Sequence, residues 1–75
     1  MKLSKVQQNV LDKMRDGWEL GMSHSFGVNC WLQKDGIGKG GESEDIRYST
    51  LSVLFQKKLI KQRGRTGLTM VFELT

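Results

Sequence analysis

The chain has 75 residues, a net charge of +4, a hydrophobic fraction of 37% and one cysteine. That length holds one domain, residues 1–75, with a core too small to enclose a deep catalytic cavity. A single cysteine and a single histidine exclude an internal disulfide and a Cys/His zinc set, and no apolar run approaches the roughly 20 residues of a membrane-spanning helix.

The charge is unevenly spread. Residues 1–45 hold six basic and seven acidic side chains, a balance of −1. Residues 46–75 hold Arg47, Lys57, Lys58, Lys61, Arg63 and Arg65 against Glu73 alone, a balance of +5. A basic half of this kind favours a polyanion such as a phosphate backbone. Polar Gln7, Gln8 and Asn9 follow the basic start where a signal peptide would be apolar, and an unpaired thiol suits a reducing compartment. The expected location is cytoplasmic, with no membrane partner.

In chain order, Ser4-Lys5-Val6-Gln7 fits a capping box, and Val6, Val10 and Met14 recur every four residues. A helix is predicted over 4–16, stopped by Gly17, with that stripe buried. The period then changes to two: Trp18, Leu20 and Met22 predict one strand, and Val28, Cys30 and Leu32 a second, joined as a hairpin through 23–27. Four glycines within 36–41 predict a flexible loop. A second helix is expected over 46–57, with Tyr48, Leu51, Leu54 and Phe55 on its core side and Ser49, Val53, Gln56 and Lys57 opposite. A last hairpin follows, its turn drawn from residues 62–67 and its return strand from the alternation Leu68, Met70, Phe72, Leu74. The expected class is α+β, ordered helix–hairpin–helix–hairpin.

Residues 46–60, with Thr50-Leu51 and Leu59-Ile60 at their characteristic places, resemble the recognition helix of winged-helix DNA-binding domains. The basic turn and the closing Phe72-Glu73-Leu74-Thr75 resemble the wing and its return strand. The Gln-rich first helix is similar to the opening helix of the same family. This resemblance implies a small winged-helix-like domain that binds duplex DNA without catalysis, in the manner of a phage or prophage transcriptional regulator. Three departures stand out, the first being that residues 18–33 read as an extra or enlarged hairpin. The family's second helix should fall near 35–45, a stretch that here is Gly-rich and acidic, and Lys58 stands where the family often has glycine.

On that reading helix 46–57 reads bases through Ser49, Ser52, Val53 and Gln56, since serine and glutamine serve base edges and valine can meet a thymine methyl. Arg47, Lys57 and Lys61 supply phosphate contacts, and the wing, 61–67, carries Arg63 and Arg65 around Gly64. The competing reading is a protein-binding module on the same fold, such as a small phage-encoded inhibitor or adaptor or a homodimer, using the Trp-bearing hairpin and the acidic 42–45 loop. An enzyme is not expected. His24 between Ser23 and Ser25 lacks an orienting acid, and Cys30 has no adjoining base and suits the core. The stretch 36–41 lacks the Lys-Ser/Thr ending of a phosphate-binding loop. Trp18 and Trp31 read as packing residues, and the Asp12/Asp16 and Glu42/Glu44/Asp45 carboxylates as solvated charge, so neither metal nor cofactor is expected.

Overall fold

Helix α1 (Lys5–Arg15) begins as its capping box dictates. The Gln7 N–H donates to Ser4 Oγ at 3.1 Å, and the Ser4 N–H donates to Gln7 Oε1 at 3.0 Å. At the other end the Gly17 N–H donates to Met14 and the Trp18 N–H to Lys13, a Schellman closure that needs the left-handed φ of 103° at Gly17. The buried stripe runs through Val10, Leu11 and Met14. It is rotated toward Leu11 relative to the four-residue repeat, which corrects the expectation for Val6: that side chain is 56% exposed on the rim.

The computed structural model describes residues 3–24 and 27–75, so the tip of the first predicted hairpin, Ser25 and Phe26, lies outside the described residues. Five strands follow the sheet order β3-β2-β1-β5-β4, every pairing antiparallel: β1 (Glu19–Ser23), β2 (Asn29–Gln33), β3 (Ser43–Ile46), β4 (Ile60–Thr66) and β5 (Thr69–Leu74). Helix α2 (Tyr48–Gln56) lies between β3 and β4 in the chain. The class is α+β as expected, but the order is helix, three-strand meander, helix, hairpin. Residues 43–46, with Glu44 and Asp45 expected in an acidic loop and Ile46 at the start of the second helix, form β3, pairing Ile46 with Cys30 and Glu44 with Leu32. Its charge is compensated from α1: Lys13 Nζ pairs with Glu44, and Asn9 Nδ2 donates to the same carboxylate at 3.4 Å. The same ammonium lies 4.7 Å from the centroid of the Trp18 ring.

Both helices cover one face of the sheet. Val10, Leu11 and Met14 of α1 and Leu51 and Leu54 of α2 pack with Leu20, Met22, Cys30, Leu32, Ile60 and Phe72 in one core. The second face has a small core of its own. Buried Val71 lies there beside Gly21 in register, and the loop after β2 folds across so that Ile37 covers Gly21. The loop is therefore pinned. Glu19 Oε1 accepts from the Ile37 N–H at 2.8 Å, and Lys34 N–H donates to Glu42 at 2.8 Å across its base.

The α2 C-terminus meets the Lys58 departure directly. Lys58 adopts φ 61° and closes a second Schellman motif, its N–H donating to Phe55 and the Leu59 N–H to Leu54. Thr75 Oγ1 donates to the Lys58 carbonyl at 2.9 Å. A β-carbon in this conformation costs roughly 1 kcal/mol. Lys58→Gly is therefore expected to raise the melting temperature by several degrees, at about 4–8 °C per kcal/mol for a domain of this size. A thermal melt showing a lower midpoint for Lys58→Gly contradicts the strain assignment.

Candidate nucleic-acid interface

Helix α2 starts at Tyr48, two residues later than expected, with Ile46 in β3 and Arg47 as an N-cap that offers no side-chain hydrogen bond. Its buried residues are Thr50, Leu51 and Leu54. Ser49 and Gln56 face solvent, Ser52 and Val53 are half-buried, and Gln56 Nε2 donates to Ser52 Oγ at 3.5 Å. Ser49, Ser52 and Gln56 thus form one accessible polar stripe, while Val53 lies on its flank. Tyr48 and Phe55 depart from expectation: they are 51% and 49% exposed rather than in the core. A nine-residue helix on a sheet can bury only one stripe. Leu51 and Leu54 occupy it, which turns the two aromatic rings toward the hairpin side, where Phe55 meets Phe72 edge-on at 5.9 Å.

The hairpin also differs from the expected wing. Residues 62–66 belong to β4, and the chain reverses around Gly67 and Leu68. Leu68, expected to join the inward alternation, is 74% exposed at that turn. Arg63-Gly64-Arg65 is therefore strand, not tip, and it carries a bulge where Arg63 is the extra residue between Gln62 and Gly64. Arg63 pairs with Glu19 on the loop-covered face. Lys61 lies 3.9 Å from Glu73 on the same face. Arg65 sits beside His24, Leu68 and Met70.

Among the described residues, the exposed cations with no carboxylate within ion-pair reach are Lys5, Lys34 and Lys39 in the first half and Arg47, Lys57, Lys58 and Arg65 in the second. Of the expected contact residues, the structure brings Ser49, Ser52, Gln56, Arg47 and Lys57 together on or beside α2. It places Arg65 across a groove from them and commits Arg63 to an internal pair. The groove between α2 and the hairpin, about 190 Å³, is lined by Met22, Tyr48, Ser52, Phe55, Gln62 and Met70 among others. Sequence reasoning missed Tyr48 and Phe55 as surface residues and placed Gln62 in the turn rather than on the groove wall. The available signal was an excess of apolar side chains on α2 over what one buried stripe accepts.

The remaining candidates contribute little chemistry. Burial pushes the Cys30 thiol above its ordinary pKa, so it stays protonated at neutral pH and packs as a small apolar side chain. His24 is exposed, and its neighbour Ser25 lies outside the described residues. No group of three or more His, Cys, Asp or Glu side chains is placed to hold a metal ion among the described residues, and no helix among them is long and apolar enough to cross a membrane. Comparison of the chain with protein-family models, curated proteins and solved structures gives no match.

Proposed function

We propose that this domain binds nucleic acid without catalysis, with duplex DNA as the ligand and α2 as the reading helix, in the manner of a small phage-type transcriptional regulator. The observation that carries this reading is the accessible stripe Ser49–Ser52–Gln56 with Arg47, Lys57, Lys58 and Arg65 unpaired around it. The stripe offers hydroxyl and amide groups of the kind that meet base edges, and the cations offer the phosphate contacts that hold such a face in place. A β-hairpin follows the helix as in the winged-helix resemblance, but strand β3 stands where that family has its second helix, so the layout is not that of a regular winged helix. The adaptor alternative draws on Trp31 and the acidic stretch 42–45, of which Trp31 is half-buried and Glu44 is engaged inside the domain, while Glu42 and Asp45 stay exposed. Trp31 packs near Gly21 and donates to Gln33, and Glu44 holds Lys13.

Titration of duplex DNA at several salt concentrations tests the reading. Four phosphate contacts give a slope of log affinity on log salt of about −4. Arg65→Ala is expected to flatten it by about one unit, whereas Arg63→Ala changes it less because Glu19 already faces that charge. Gln56→Ala should keep the slope and lose discrimination at one base position, by roughly 1–3 kcal/mol for a bidentate contact. A folded protein that ignores duplex DNA at low salt removes this function.

A further inference from the structure

We propose that the channel between α2 and the hairpin binds a single-stranded oligonucleotide segment, with the rings of Tyr48 and Phe55 as stacking platforms for unpaired bases. The proposal rests on the nucleic-acid reading above and specifies a second mode of engagement for the same surface.

Three concavities lie in a row along this surface, each sharing one lining residue with the next, and together they make up the channel. The first, about 360 Å³, is lined by His24, Arg65, Leu68 and Met70. Met70 also lines the second, the groove holding Tyr48, Ser52, Phe55 and Gln62. Phe55 is shared in turn with the third, about 510 Å³, where Lys58 stands, while Lys61 only edges it, its ammonium near Glu73 on the other face. Cations thus occupy both ends, apolar and aromatic surface occupies the middle, and none of the described residues lining the three is acidic. The matching ligand is anionic along its length and presents flat apolar groups between its charges.

Tyr48 and Phe55 are seven residues apart, two turns along the same side of α2, or about 10.5 Å of rise. Each is half exposed in a domain whose core is small enough to need every large apolar side chain. Ser52 lies between them and Gln62 on the opposite wall, so hydroxyl and amide groups flank the stacking surface. A base inside a duplex has both faces covered by its neighbours. These rings can therefore stack only on bases that are unpaired. An amphipathic helix would instead require a series of apolar sockets at i, i+3, i+4 and i+7, and the channel has one small apolar section between two cationic ones.

The test is fluorescence anisotropy with labelled dT12 and rU12, alongside a duplex of the same length, using wild type, Tyr48→Phe, Tyr48→Leu and Phe55→Leu. Folding of each variant is checked by circular dichroism, because Phe55 touches Phe72. Tyr48→Leu leaves the core intact and keeps the test decisive if Phe55→Leu does not fold. Expected are single-strand binding in the wild type, a loss of about tenfold or more on removing the Tyr48 ring, and near-wild-type affinity for Tyr48→Phe. Adding dU12, which differs from rU12 only at the 2′ position, identifies the preferred sugar. Single-strand binding that is indifferent to both rings, or duplex binding with no single-strand binding, overturns the channel proposal while the nucleic-acid reading stands. No binding to any oligonucleotide at low salt overturns both.

Discussion

Val10→Asp is expected to leave the chain unfolded at 25 °C. Val10 has no exposed surface and sits where α1 meets the sheet. Aspartate there must be buried as an ion or protonated against its ordinary pKa, at a cost of several kcal/mol, and the valine's own burial of about 1.5–3 kcal/mol is lost as well. The total stability of a domain this size is roughly 4–11 kcal/mol at 0.05–0.15 kcal/mol per residue. Val6→Asp on the same helix is the control. With Val6 largely exposed, its melt should fall within about 0.5 kcal/mol of wild type. A cooperative melt of Val10→Asp at the wild-type midpoint would show that α1 is not docked on the sheet.

Gly21→Val is expected to cost about 2–3 kcal/mol, from the opposite face of the same sheet. A β-carbon at Gly21 would lie 2.9 Å from Ile37 Cδ1, 3.2 Å from Thr69 Cγ2 and 3.4 Å from Trp31 Cζ2, and valine adds two more carbons to that space. The better strand propensity of valine offsets less than about 1 kcal/mol of this. If the pinned loop is the obstacle, Ile37→Ala should return part of the loss in the double variant, a coupling readable by chemical denaturation. Equal instability of the single and double variants would place the obstacle in the strands instead.

The parts of the fold that sequence disclosed are those with local causes. The α1 capping box and its Gly17 stop are both specified within a few residues, and the period-two runs of β1, β2 and β5 follow from one covered face. β3 was invisible because Ser43-Glu44-Asp45 has little strand propensity, and its place depends on Lys13 and Asn9, more than thirty positions earlier in the chain. The same distance problem hid the fate of Arg63. Its pairing with Glu19 joins two strands that are not neighbours in sequence, so a basic triplet read as a tip became a strand. On α2 the period was correct, and Leu51 and Leu54 are buried as expected, but the buried stripe is narrower than the expected one. Which stripe of an apolar helix turns inward is decided by the sheet it meets, and Tyr48 and Phe55 lost that competition to Leu51 and Leu54.

The bulge between Gln62 and Gly64 acts as a change of parity in β4. In an uninterrupted strand, residues 63 and 65 point to the same side. Here the extra residue lets Gly64 oppose Val71 and Arg65 oppose Met70, so the two arginines face opposite sides of the sheet. One inserted position thereby separates two like charges into two occupations. Arg63 neutralises Glu19, the carboxylate that fastens the loop, and Arg65 stays unpaired at the mouth of the channel. Were the same residues paired without the bulge, Arg63 opposite Val71 and Arg65 opposite Thr69, both guanidinium groups would face the loop side and the channel mouth would lose its cation.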